Sequence, residues 1–135
     1  MRKAFIVDNK PSACSTQALK LVDNKSVSPS DSLLNQVFEF INNNYHQAIT
    51  LCNVAQAVGY SAAYLTDLVR RQTGKTVNHW IVERRMRTAR TLLLETNQSA
   101  NQIAVMVGYQ NEGHFFRQFR QHHGTTPQNW RKAML

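Results

Sequence analysis

Arginine is the residue type of this 135-residue chain best equipped for chemistry. Between positions 70 and 132 stand Arg70, Arg71, Lys75, Arg84, Arg85, Arg87, Arg90, Arg117, Arg120, Arg131 and Lys132, against the acids Glu83, Glu95 and Glu112. A guanidinium is planar, permanently charged and forked, which suits phosphate oxygens and the O6/N7 edge of guanine. The whole chain carries 16 Lys and Arg against 8 Asp and Glu, a formal net charge of +8. That excess says nothing about fold. It favours a polyanionic partner, either nucleic acid or an anionic membrane surface; the alternative is a basic protein that is merely soluble.

Other chemistries have less support. The two cysteines, Cys14 and Cys52, make no disulfide framework and no zinc site at ordinary ligand spacing, which fits a reducing cytoplasm. Cys52 is expected near a helix start as an inert surface thiol. His122 and His123 are adjacent, so on a helix their side chains diverge by about 100°, and no third ligand stands near them. No metal, cofactor or catalytic residue is expected. The apolar run of the N-terminus stops at Asp8, too short for a signal-peptide core, and no later stretch reads as a membrane span.

The elements that would position the arginines are helices. Residues 1–30 are rich in Ser, Asn, Asp and Lys and read as a basic, flexible arm. A folded domain is expected over residues 31–135, entered through Ser28-Pro29-Ser30-Asp31. Leu34, Val37, Phe38, Ile41 and Tyr45 then recur at helical spacing up to Asn42-Asn43-Asn44. Residues 50–58 form a short amphipathic helix with Thr50 as cap and Leu51, Val54, Ala55 and Val58 inward. Gly59 ends it, and Tyr60-Ser61 opens a second helix containing Tyr64, Leu65, Leu68 and Val69, which Gly74 ends. Two short helices around a glycine-bearing turn over residues 50–74 predict a helix-turn-helix.

The pattern recurs over residues 99–124. Ile103-Ala104-Val105-Met106-Val107-Gly108-Tyr109 repeats the layout of Val54-Ala55-Gln56-Ala57-Val58-Gly59-Tyr60. Phe115 and Phe119 stand for Leu65 and Val69. Gly124-Thr125-Thr126 with Trp130 stands for Gly74-Lys75-Thr76 with Trp80. The offset is 49 before the turn and 50 after it, so the second turn holds one extra residue. Between the repeats, residues 76–96 contain no Gly or Pro and predict one continuous helix capped by Thr76, with Ile81, Ala89, Leu92 and Leu93 inward and Arg84, Arg87 and Arg90 on a polar face. At ~1.5 Å per residue this is a rod of roughly 30 Å, close to the ~34 Å turn of B-DNA. A final helix is expected over residues 127–133. The fold class is all α, with about seven helices.

These residues resemble the C-terminal DNA-binding domain of the AraC/XylS regulators over about residues 31–135. The resemblance rests on Ala55-x-x-Val58-Gly59-Tyr60-Ser61, Arg70-Arg71-x-x-Gly74 and Arg85-x-x-x-Ala89-x-x-Leu92-Leu93. In the second half it rests on Ile103-Ala104-x-x-Val107-Gly108-Tyr109, Phe115-x-x-x-Phe119-Arg120, Gly124-Thr125-Thr126-Pro127 and Trp130-Arg131. It implies a two-lobed, seven-helix binder of double-stranded DNA that regulates transcription in the cytoplasm, often as an activator with RNA polymerase as a partner. Only 30 polar residues precede the module, so the chain resembles the short MarA-like members or a fragment of a longer sensor. With two heads in one chain, a monomer is expected to occupy one site.

The positions matching base-contacting sites of the family are Ala63, Thr66 and Asp67 in the first recognition helix, and Glu112, His114 and Arg117 in the second. Ala and Thr can touch a thymine methyl, Asp67 can accept from cytosine N4, and Arg117 suits a guanine. Asp67 also repels phosphate, so the first helix is expected to read less sequence. Glu112 pairs with a cytosine or simply begins its helix, where an acid suits the dipole. Phe116 is the odd residue of this helix, facing either DNA or the interior. Arg70, Arg71, Lys75, Arg120 and Arg131 are the phosphate-binding candidates; the alternative is a solvated basic face. Trp80 and Trp130 are expected in the core. Two other functions compete. One is an alkyltransferase-like enzyme, for which the arm offers only Cys14. The other is a protein-interaction module on the same fold. RNA binding finds no aromatic platform on strands.

Overall fold

The computed structural model describes residues 29–135, and among them every regular element is helical. Seven helices follow one another: α1 Pro29–Asn44, α2 Leu51–Val58, α3 Ala62–Thr73, α4 Val77–Glu95, α5 Ala100–Met106, α6 Glu112–His123 and α7 Pro127–Met134. The expected arm lies outside the described residues as far as residue 28, and with it Cys14; α1 begins at Pro29, two residues before the expected domain start. Tyr45, counted with the first helix from its spacing, falls just beyond Asn44. None of the described helices is long and apolar enough to cross a membrane.

The helix ends are decided locally. Thr50, Ser61, Ser99, Asn111 and Thr126 each take up an extended conformation and accept a backbone N–H three residues on with the side-chain oxygen. Those bonds satisfy donors that the first turn of a helix cannot pair internally. Thr50 and Ser99 complete capping boxes, with Asn53 and Gln102 reaching back to the cap N–H. Thr76 caps α4 by accepting from His79 N at 3.0 Å.

The chain divides into two compact units. The first comprises residues 49–80 with the described residues up to 43; the second comprises residues 44–48 and 81–135. In the first, Leu33, Val37 and Ile41 of α1, Val54, Ala55 and Val58 of α2, and Leu65, Leu68 and Val69 of α3 are all buried. The Phe38 and Trp80 rings meet edge to face with centroids 5.4 Å apart, and Trp80 Nε1 donates to Thr73 Oγ1. In the second, Val82, Met86, Ala89 and Leu93 of α4 form one core with Ile103, Ala104, Val107, Tyr109, Phe115 and Phe119. Leu92, Phe116 and Trp130 pack against its edge. Phe116 is thus half-buried against protein, and both tryptophans belong to the packing.

The polar face expected on α4 is mostly engaged with protein. Arg84 lies over the Tyr45 ring at 4.4 Å and donates to Thr88 Oγ1. Arg90 donates to the His123 ring. Only Arg87 of the three is exposed. Arg85, one residue from that face, is buried. Its Nε donates to Tyr45 O at 2.9 Å and its Nη2 to Gln47 O at 2.8 Å, over a separation of about 40 residues. Burial pulls its pKa down, while the Tyr109 ring at 5.0 Å acts the other way.

Candidate nucleic-acid interface

Each unit presents one helix of a helical pair outward. α2 packs on α3, and α5 on α6. Gly59 closes α2 in the left-handed conformation, its N–H donating to Ala55 O and Gln56 O. The second turn is longer, as the offset in the repeat requires: residues 107–111 separate α5 from α6, where residues 59–61 separate α2 from α3. Gly108 lies at φ +105, and a Cβ there would meet Tyr45 O at 2.4 Å. Only glycine fits this backbone approach. Tyr109 follows it into the core, and its hydroxyl donates to Gln118 Oε1. Burial raises the Tyr109 pKa, with Arg85 opposing.

With ~100° per residue, Leu65, Leu68 and Val69 mark the inward side of α3, and the opposite side centres on Asp67. Ala63 and Arg70 flank Asp67 on one edge, Tyr64 and Arg71 on the other, and all five are exposed. Thr66 stands half-buried toward the side of the face. Asp67 accepts from Arg71 Nε at 2.8 Å, with side chains 65% and 59% exposed. The repulsion of phosphate expected from Asp67 is therefore partly cancelled within its own helix. Tyr64, which the sequence places in this helix with Leu65, Leu68 and Val69, is 44% exposed and stacks on Tyr60 at 5.1 Å. Its spacing from Asp67, three residues, was the available signal.

On α6 the inward side is marked by Phe115 and Phe119, and the outward side centres on Arg117, flanked by Gly113, His114, Arg120 and Gln121. Arg117 is exposed and makes no ion pair among the described residues. His114 is exposed and sets its ring edge to face with Tyr109 at 5.4 Å. Glu112 is the first residue of the helix, five residues before Arg117 and so about 140° round from it. The geometry groups His114 with Arg117 and leaves Glu112 at the helix start, beside the positive end of the dipole.

The basic residues divide in the same way. Arg70 and Lys75 are exposed near the end of α3, and Arg120 is exposed in the last turn of α6. Arg131 is different: its Nε donates to Leu93 O, and its Nη2 to Thr96 O and Gln98 O, at 2.8, 3.1 and 2.8 Å. Its guanidinium holds the end of α4, where helix carbonyls lack internal partners. His123 stacks on Phe119 at 3.9 Å. A carbonyl only accepts and a guanidinium only donates. Its Nδ1, 3.1 Å from Phe119 O, therefore carries the proton, and its Nε2 accepts from Arg90. Burial holds its pKa below the ordinary histidine value. His122 turns instead toward Gln118 O and Glu83. Among the described residues no three His, Cys, Asp or Glu side chains gather in a metal-binding group. Cys52 is exposed and free in the first turn of α2.

A helix-turn-helix domain family matches residues 54–133. The melibiose operon regulatory protein of Escherichia coli (strain K12) is 32% identical over 99 residues, which are 73% of this chain and 33% of that protein. The chain therefore spans about a third of the length of this relative. Among solved structures, the C-terminal domain of AraT, a response regulator from Geobacillus stearothermophilus, superposes with a TM-score of 0.73 at 27% identity, covering 75% of this chain and 84% of that one. A transcriptional regulator from Chromobacterium violaceum, described as containing an AraC-type DNA-binding domain, superposes at 0.70 with 27% identity, covering 76% and 92%. With one helix-turn-helix in each unit and a family match over most of both, this chain belongs to the AraC-type helix-turn-helix family.

Proposed function

We propose that this chain binds double-stranded DNA at specific sequences and regulates transcription, with α3 and α6 as the two recognition helices. The observation that carries this reading is that each unit leaves one face of the second helix of its helix-turn-helix exposed, centred on a charged residue and with arginine in the last turn. A buried hydrophobic side fixes each helix, so the outward residues meet a groove without rearrangement. Arg117 and His114 are the base-reading candidates of α6, and Ala63, Thr66 and Asp67 those of α3. Arg70, Lys75 and Arg120 are the phosphate-binding candidates, and their exposure supports that role. Both heads belong to one chain, which supports binding as a monomer. The names of the relatives, operon regulatory proteins among them, support a role in transcription. Activation through RNA polymerase, a cytoplasmic setting and the absence of catalysis are carried by the family resemblance.

The test is a titration of the chain against a selected site and against random duplex over a range of salt. With three phosphate contacts, log K on both falls with log salt at a slope of about −3, at ~0.9 per contact. Sedimentation of the complex then gives one chain per site. A flat salt response, or equal affinity for selected and random DNA, refutes the reading.

A further inference from the structure

The repeat places Asp67 and Arg117 at matching positions, 50 residues apart, each at the centre of its helix's outward face. Their charges are opposite. One turn further on, the first helix has Arg71 and the second has Gln121. Arg71 Nε donates to Asp67 Oδ2 at 2.8 Å, so the acid of the first helix is held and the arginine of the second is not. An exposed pair of this kind adds little to stability. What it does is fix the direction of the carboxylate and offset its charge near a polyanion.

From this geometry, and resting on the DNA-reading role proposed above, we infer that Asp67 and Arg71 act together as a specificity pair, Asp67 reading cytosine and Arg71 positioning it. An ionised carboxylate only accepts hydrogen bonds. With Oδ2 engaged by Arg71, Oδ1 is left for a donor on a base edge. In the major groove cytosine offers the N4 amino group, adenine offers N6 only beside the acceptor N7, and guanine offers the acceptors N7 and O6, which a carboxylate repels. Arg117 has the reverse preference, since its fork donates to those same acceptors. The two heads thus read opposite base chemistry, a cytosine under α3 and a guanine under α6. Arg71 is a positioning residue in this arrangement and does not grip a phosphate.

The experiment is selection from a randomised double-stranded oligonucleotide pool by the 135-residue chain and its variants, followed by affinity measurements on single-base changes of the selected site. Asp67→Ala and Arg71→Lys each erase a cytosine preference of about tenfold at the same position and leave the guanine preference intact. The double variant is no worse than either single one. Arg71→Lys keeps the positive charge but loses the Nε donor, so it separates positioning from phosphate binding. Both residues are exposed, and unchanged helicity by circular dichroism checks the fold of each variant. The inference is overturned if Arg71→Lys leaves the base preference unaltered, or if Asp67→Ala tightens every sequence equally without changing the motif. Selection of no motif by the unmodified chain overturns the DNA-reading role itself, and this inference with it.

Discussion

Arg131→Ala separates a structural arginine from a phosphate-binding one, and its cost can be worked from the geometry. The guanidinium makes three hydrogen bonds to carbonyls, from Leu93 in the last turn of α4 and from Thr96 and Gln98 in the connection that follows. A hydrogen bond to a charged group contributes about 1.5–3 kcal/mol. The three are not additive, because one side chain makes them all and Arg131 is only half-buried, so water re-satisfies some of the carbonyls. A net loss of about 2–3 kcal/mol is expected. For a folded region of this size each kcal/mol moves Tm by ~4–8 °C, so Tm falls by roughly 10–20 °C. Arg131→Lys loses nearly as much, since an ammonium cannot serve three divergent carbonyls with a rigid fork. The assay is thermal and urea unfolding followed by far-UV circular dichroism, paired with the salt dependence of DNA binding. A Tm shift of only a few degrees, with a salt slope about one unit flatter, would refute the structural role and return Arg131 to the phosphates.

Arg117→Ala should cost about 1–3 kcal/mol on the preferred site and distinctly less on random duplex at the same salt concentration; parallel losses on both would make it a phosphate contact. Gly108→Ala should destabilise the fold by more than about 3 kcal/mol, because strain at φ +105 adds to a Cβ 2.4 Å from Tyr45 O. Gly74→Ala, at φ +78 with open space around it, should cost only about 1–2 kcal/mol; equal losses in urea titrations would remove the close approach as the reason for glycine at 108. His123 has a folded pKa below its unfolded value of about 6.5, so the unfolded chain binds more protons and stability falls as pH drops below that value. His123→Phe keeps a ring against Phe119 and removes the titration, so its Tm should fall less than the parent's between about pH 7.5 and 5.5.

The two helix-turn-helix units were legible in the sequence because their signals are short-ranged. A capping oxygen reaches three residues, a closing glycine acts at its own φ, and an apolar stripe repeats every three or four residues. Thr50, Ser61, Ser99 and Gly74 therefore mark helix ends without knowledge of anything distant. The unequal offset of the repeat likewise located the longer second turn. The Asp67–Arg71 pair is also local, four residues apart on one helix. What only the tertiary structure decided is the use of side chains whose partners lie far along the chain. Arg85 and Arg131 read as two more members of a basic cluster, yet each is bound to carbonyls more than 30 residues away. The sides taken by Phe116 and Tyr64 were decided in packing for a related reason: periodicity gives the angle between residues on a helix, but the neighbouring surfaces decide how wide its buried face is. A charge or a ring in a sequence has the same identity whether water or protein surrounds it, and its surroundings are settled only when the helices pack.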